Sequence, residues 1–498
     1  MAWKDERKVD SVCIVGAGPS GLAAAKYLVA EKAFSRIVVF EQRDNVGGLW
    51  NHLPCPKSTK DTLPVPQTSP DDQADPTHPV LSPVYEMLET NIPRGLMGFS
   101  DQDWDADCQL FPGHETVLKY LEHYAVDVLD LIKSNTKVLD IRPTEDERWL
   151  VKTIASTESA RSSPNSETFD AVLIASGHFD VPHIPSVSGI EAWNKTHPGS
   201  ITHSKFYRHP SDFVDKKVIV VGNSASGVDI AAQISSVSKM PLVQSSKSPS
   251  AAQSETKLEK PQITEYIVAG RCVQFADGSV ERDVDSILYC TGYFYSYPFL
   301  RTLRPSVVTS GEYVENLYQH IFYRPCPTLA FAALNQKIIP FPVAEAQAAV
   351  ISRVWAGRLS LPDDQEMKRW EQHTLEETGG GRNFHVLKLP MDADYINMLH
   401  DWAISADQST DGCHEQRRRR MSNTDGSKGQ KTANGMLVGK EPPFWAEKEY
   451  WTRERFPDIK KAFQSFGEDR HSKRTLEDVG FDYEKHKQER IAESKRLL

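Results

Sequence analysis

Four short apolar runs, each closed by a glycine, organise this chain: residues 11–15 lead into Gly16, 169–176 into Gly177, 217–221 into Gly222 and 284–291 into Gly292. Runs of this length, rich in Val and Ile and bounded by turn residues, predict buried strands of a parallel sheet. Helix-like stretches at 22–28 and 228–231 come after the first and third of them. Strand, glycine turn and helix therefore occur twice, and each occurrence is completed downstream by an apolar strand ending in Ser-Gly or Thr-Gly. That echo predicts two doubly wound units in one chain.

Helical spacing of Val117, Leu118, Tyr120, Leu121 and Tyr124 predicts a helix within 115–130. Strands at 137–141 and 149–154, parted by a polar turn, predict a small meander attached to the first unit. Residues 52–80, rich in Pro, Thr, Ser and Asp, read as a long inserted loop. A strand at 329–334 and a helix at 343–357 return the chain to the first unit. The fold expected is α/β: two Rossmann-like dinucleotide-binding domains, the second inserted within the first, plus a C-terminal extension. The expected boundaries are 1–185 and 328–404 for the first domain, 186–327 for the second, and 405–498 for a polar loop and the extension. The arginine run 417–420 reads as a solvated charge run. Phe444, Trp445, Tyr450, Trp451 and Phe456 predict that the tail packs on the body or on another subunit, as in a homodimer.

Charge and cysteine usage narrow the chemistry. A formal charge of −10 argues against nucleic acid and anionic membrane as partners. The apolar start is broken by a glycine turn and preceded by the charged stretch 4–8, unlike a signal peptide, and no later run has the length of a membrane span. A cytoplasmic location is the default expectation. Seven scattered cysteines include no Cys-x-x-Cys pair and no Cys/His spacing typical of zinc, so neither a metal nor a redox dithiol is expected.

The two glycine turns are not equivalent. In the first, Gly16, Ala17, Gly18, Pro19, Ser20 and Gly21 form a Gly-x-Gly-x-x-Gly cradle, whose glycines allow a sharp turn, close approach of a pyrophosphate, and close helix packing. The strand 36–40 then ends at Glu41, about twenty residues on, where a carboxylate accepts hydrogen bonds from ribose hydroxyls. Gly47 and Gly48 permit a further close approach, and Leu49 and Trp50 offer a wall. In the second cradle, Gly222, Asn223, Ser224, Ala225, Ser226 and Gly227 precede Val228 and Asp229, with Ser224 in place of the middle glycine. Its ribose position holds Ser245, Ser246 and Lys247 instead of an acid, and hydroxyls with a cation suit a 2′-phosphate, so this copy should prefer NADPH to NADH.

With these motifs in order, the chain resembles the flavin-containing monooxygenases of the soluble microbial and fungal kind over residues 10–400. The resemblance rests on the first cradle, on Gly47 to Trp50, on the segment 85–91 ending Thr90-Asn91, on 197–207, on the second cradle, and on Thr291-Gly292-Tyr293. The family's Phe-x-Gly-x-x-x-His-x-x-x-Phe/Tyr motif is read here as His197, Gly199, His203 and Tyr207, with histidine replacing the first phenylalanine. It implies FAD in the first cradle and NADPH in the second, and a reaction of the N,N-dimethylaniline monooxygenase type. There, one oxygen of O2 passes through a C4a-hydroperoxyflavin to a nucleophilic N or S atom of a small molecule. It further implies that Asn91 is the catalytic residue, that Thr90 and Val138 line the cofactor, that His203 supports the structure or the NADP loop, that Tyr207 and Arg208 lie near NADP+ or pack the domain junction, and that Gln347 approaches FAD or sits on a helix surface. A Baeyer–Villiger oxygenase acting on ketones is the nearest alternative, disfavoured because Tyr207-Arg208 stands where those relatives usually carry Trp followed by Pro or Asp. A non-catalytic flavin- and NADPH-binding redox sensor or scaffold is the alternative of another class.

Overall fold

The computed structural model describes residues 8–52, 63–70, 81–156, 163–248, 256–406 and 439–496. Most of the expected loop 52–80 and the whole arginine run 417–420 lie outside the described residues.

The chain opens with strand β1 (Ser11–Val15), helix α1 (Pro19–Glu31) and strand β2 (Arg36–Phe40). Helix α2 (His114–Ala125) buries Val117, Tyr120, Leu121 and Tyr124, one stripe of an amphipathic helix, and runs into a short 3-10 turn before β3 (Ile132–Lys133). The meander has three antiparallel strands, Thr136–Pro143, Trp149–Ala155 and Asn165–Phe169. Its third, polar strand carries no alternation strong enough to be read from sequence. Strand β4 (Ala171–Ile174) comes next.

A second sheet then takes over with β5 (Ile201–His203), β6 (Val218–Val221), helix α3 (Ala225–Ser235), β7 (Leu242–Ser245), β8 (Lys257–Lys260) and β9 (Ser286–Tyr289). The chain returns through β10 (Leu329–Phe331) and helix α4 (Pro340–Trp355), which starts three residues before the expected 343 because Pro340 tolerates the first helical position. Helix α5 (Met391–Ser405) and, after the undescribed stretch, helix α6 (Glu447–Ser465) complete the body.

Both sheets are built on one plan. In the first, β10, β4, β1, β2 and β3 run parallel in that order, extended beyond β10 by two short antiparallel strands. In the second, β8, β7, β6, β9 and β5 are all parallel. Each cradle strand, β1 or β6, is therefore central, with the strand after its helix on one side and the strand ending in Ser-Gly or Thr-Gly on the other. Buried strands flanked on both sides have no polar face, which is why these runs are continuously apolar. Helix α4 packs against α1 and is buried along nearly its whole length, so it closes one face of the first sheet.

Candidate active site

The two glycine turns share the geometry of their first and third glycines. Gly16 N–H donates to the Phe40 carbonyl and Gly222 N–H to the Ser245 carbonyl, both at 2.8 Å. A Cβ on Gly16 would lie 2.7 Å from the Ala175 carbonyl oxygen, and one on Gly222 would lie 2.6 Å from that of Cys290. A Cβ on Gly21 or Gly227 would come within 1.9 or 2.4 Å of the carbonyl oxygen of its own first glycine. With φ of +104° and +113° at Gly16 and Gly222, no L side chain fits these positions.

The middle position behaves differently. Gly18 and Ser224 share one extended conformation, with φ of −75° and −81°, so the backbone does not demand glycine there. The neighbouring loop approaches this position closely, and it is Gly48 that has no room for a side chain. A Cβ on Gly18 would lie 3.4 Å from the Gly48 Cα, one on Gly48 would lie 2.8 Å from the Gly18 Cα, and Gly47 N–H donates to the Ala17 carbonyl at 3.0 Å. Ser224, by contrast, is exposed.

The residues around each cradle fit a dinucleotide. Helices α1 and α3 start without a side-chain cap, leaving first-turn amides open to a phosphate. Glu41 is buried, with Oε2 accepting from the Ala17 amide at 2.7 Å and Oε1 from the Arg43 amide at 2.9 Å, which fixes the carboxylate beside the first cradle with lone pairs to spare for ribose hydroxyls. The Arg43 guanidinium donates to the Gly48 carbonyl and braces the second glycine loop beside that carboxylate. Pro19 and Ser20 open α1, and Leu49 and Trp50 lie beyond Gly48 in a 3-10 turn, Trp50 half-buried against the core.

At the second cradle Ser226, Val228 and Lys247 are exposed, and Asn223 Nδ2 donates to the Ser248 carbonyl at 2.8 Å. At three of the expected cofactor contacts the side chain is engaged within the protein. The Ser245 side chain is fully buried and donates to the Pro261 carbonyl at 2.8 Å, and the half-buried Ser246 hydroxyl donates to the Ser248 carbonyl at 2.7 Å, so of the three ribose-end residues Lys247 is the exposed one. The Asp229 carboxylate points away from the turn, accepting from the Tyr85 hydroxyl and from Gln233 Nε2 at 3.0 Å, and burial pushes its pKa up. Val138 turns its side chain into the core with Phe40 and Trp149, which leaves only its backbone for a ligand.

The segment 82–91 joins the two cradles. Its Ser82 hydroxyl donates to the Leu49 carbonyl on the first side, and its Tyr85 hydroxyl reaches Asp229 of α3 on the second. Between them the Arg208 guanidinium donates to the carbonyls of Ser82 at 3.0 Å and Val84 at 3.3 Å, as well as to those of Lys205 and Tyr207. Arg208 thus ties the segment to the turn at 205–207. Tyr207 is buried and donates to Gln233 Oε1 at 2.9 Å. Asn91, at the end of the segment, is exposed, while Thr90 beside it is buried and donates its hydroxyl to the Ile92 carbonyl at 2.9 Å.

His203 is fully buried, and burial pushes its pKa down to about 3. Its Nδ1 accepts from the Lys205 amide at 3.1 Å, so the ring shapes a turn. His197 packs edge-on against Trp193, ring centroids 5.2 Å apart, which gives the histidine an aromatic partner at the position where the motif carries phenylalanine. Gln347 is fully buried, accepting from the Ala333 amide at 2.7 Å and donating to Asn335 Oδ1 and the Tyr395 hydroxyl, so it orders the turn after β10. Among the described residues no cluster of His, Cys, Asp or Glu could hold a metal, and no helix is long and apolar enough to cross a membrane.

This arrangement has counterparts among known proteins. The family model described as flavin-binding monooxygenase-like matches residues 73–257 and 254–410, and one for an NAD(P)-binding Rossmann-like domain matches 14–57. The Arabidopsis thaliana flavin-containing monooxygenase FMO GS-OX-like 9 is 34% identical over 72% of this chain and 78% of its own. The structure of S-allyl-L-cysteine S-oxygenase from Allium sativum superposes with a TM-score of 0.68 at 31% identity, covering 82% of this chain and 91% of that one. Tmm from a Pelagibacter strain superposes with a TM-score of 0.66 over 91% of each chain, at 22% identity a likeness of fold.

Proposed function

Because the chain belongs to the flavin-binding monooxygenase-like family, with FAD and NADPH as its cofactors, we propose that it oxygenates a nucleophilic sulfur or nitrogen atom of a small molecule. For a sulfur substrate the balance is thioether + O2 + NADPH + H+ → sulfoxide + NADP+ + H2O. When bound, FAD supplies the redox chemistry, taking a hydride from NADPH and activating O2.

The chain's own residues bind, orient and exclude water. On this reading the Gly16–Gly21 and Gly47–Trp50 loops hold FAD with Glu41 on its ribose, while the second cradle holds NADPH with Lys247 on its 2′-phosphate. The amide of Asn91 can donate and accept at once without adding charge near the flavin. The observation that carries the proposal is the strap 82–91, which ties both cradles and ends at Asn91. His203 is neutral and engaged, consistent with a reaction that asks no protein base to attack a soft nucleophile.

Sulfur is favoured over nitrogen by the likeness to an S-oxygenase. Holoprotein should be given NADPH and O2 with a thioether, a tertiary amine or a cyclic ketone, and the products identified by mass spectrometry. A sulfoxide or N-oxide as main product is expected; an ester from the ketone as main product would overturn the proposal.

A further inference from the structure

The family match ends at residue 410, yet the chain beyond it reaches the segment that carries Asn91. Lys460, on α6, donates to the Thr90 carbonyl at 2.9 Å and to Glu89 Oε2 at 3.3 Å. Its ammonium lies 4.5 Å from the ring centre of Phe111 and 5.4 Å from that of Phe463, and its side chain is 12% exposed. Burial pulls its pKa down, while the carboxylates of Glu89 and Asp229 act against that. Glu89 also accepts from Arg470 at 3.2 Å, with His471 at 3.8 Å. Two stretches of the tail therefore converge on one carboxylate next to Thr90.

Thr90 is fixed from its other sides too, its amide donating to the Pro112 carbonyl and its hydroxyl to the Ile92 carbonyl, both at 2.9 Å. The Thr90 carbonyl and the Asn91 amide belong to one planar peptide group. A charged donor on that carbonyl sets the plane from which the Asn91 side chain springs.

We propose that Lys460 is a positioning residue for oxygen transfer: the docked α6 orients the Thr90–Asn91 peptide, and so governs how much NADPH is spent on product rather than on peroxide, NADPH + H+ + O2 → NADP+ + H2O2. The inference rests on the role given to Asn91 above. Loss of the ammonium leaves the glycine cradles untouched, so cofactor binding and coupling separate.

The test uses full-length holoprotein of the parent and of K460M, K460R and N91A. K460M should keep its FAD, while amide exchange in 88–93 and the share of NADPH released as H2O2 each rise by about tenfold, the factor expected for one lost charged hydrogen bond. K460R should restore both. Parent-like exchange or parent-like coupling in K460M overturns the inference. Should K460M fail to accumulate, E89Q, which removes the paired charge but not the apolar seat of α6, must move both readouts in the same direction or the inference falls. N91A separates the two levels: if it is as well coupled as the parent, the reading of Asn91 fails; if it leaks peroxide and K460M does not, only the role of Lys460 fails.

Discussion

Lys247 presents an exposed cation at the ribose end of β7, whereas Ser245, two positions earlier, is buried against Pro261. Removing one charge-assisted contact to a phosphate costs about 1.5 kcal/mol, or about tenfold in affinity. Lys247→Ala should therefore raise the KM for NADPH by about that factor and leave NADH turnover nearly unchanged, as steady-state rates with the two nucleotides will show. Ser245→Ala should leave both KM values as they are, because its hydroxyl serves the fold. In the sequence these two residues read as parts of one motif, and burial separates them. β7 is covered on both faces, so every one of its side chains is buried and the first exposed position comes only after the strand ends.

At the scale of the element, α6 is seated by Ile459 and Phe463, which pack with Leu110, Phe111 and Val479 in a small core of their own. Phe463 is fully buried, and replacing such a ring by alanine costs about 3–5 kcal/mol. Phe463→Ala should release the tail, detected as proteolysis near 440–470 at protease levels the parent resists, with flavin content retained. The aromatic pattern of the tail foretold packing but not its target. The glycine turns were legible because their constraints are local: each first glycine is crowded by the end of an adjacent strand and each third glycine by its own first. The contacts of Lys460 with Thr90, of Tyr85 with Asp229 and of Arg208 with Ser82 join residues 370, 144 and 126 positions apart, and no spacing rule reports them. Motif position alone led to Asp229 as a nucleotide contact, and only packing shows that its carboxylate serves Tyr85 and Gln233 instead.

At the scale of the whole molecule, four buried imidazoles among the described residues are held neutral. Burial pushes His178 down to about 4, His203 and His320 to about 3, and His385 well below its ordinary value. In the unfolded chain each binds a proton near pH 6.5, so below that value the unfolded state holds more protons than the native one and stability falls with falling pH. The contribution is fully present above about pH 7 and is lost from there down through about pH 3, at up to about 1.4 kcal/mol per group for each pH unit. Urea midpoints of the holoprotein should drop steeply from about pH 7.5 to about pH 5, and His203→Gln should flatten that slope; equal midpoints at the two pH values would contradict the account.

The strap at 82–91 bears on how turnover proceeds in space. Anchored at Leu49 on one side and at Asp229 on the other, with a guanidinium clasping its middle, it acts as a gauge block between the two glycine turns. Dinucleotides seated at those two turns would accordingly meet across a preset span, not through two lobes swinging shut upon each other.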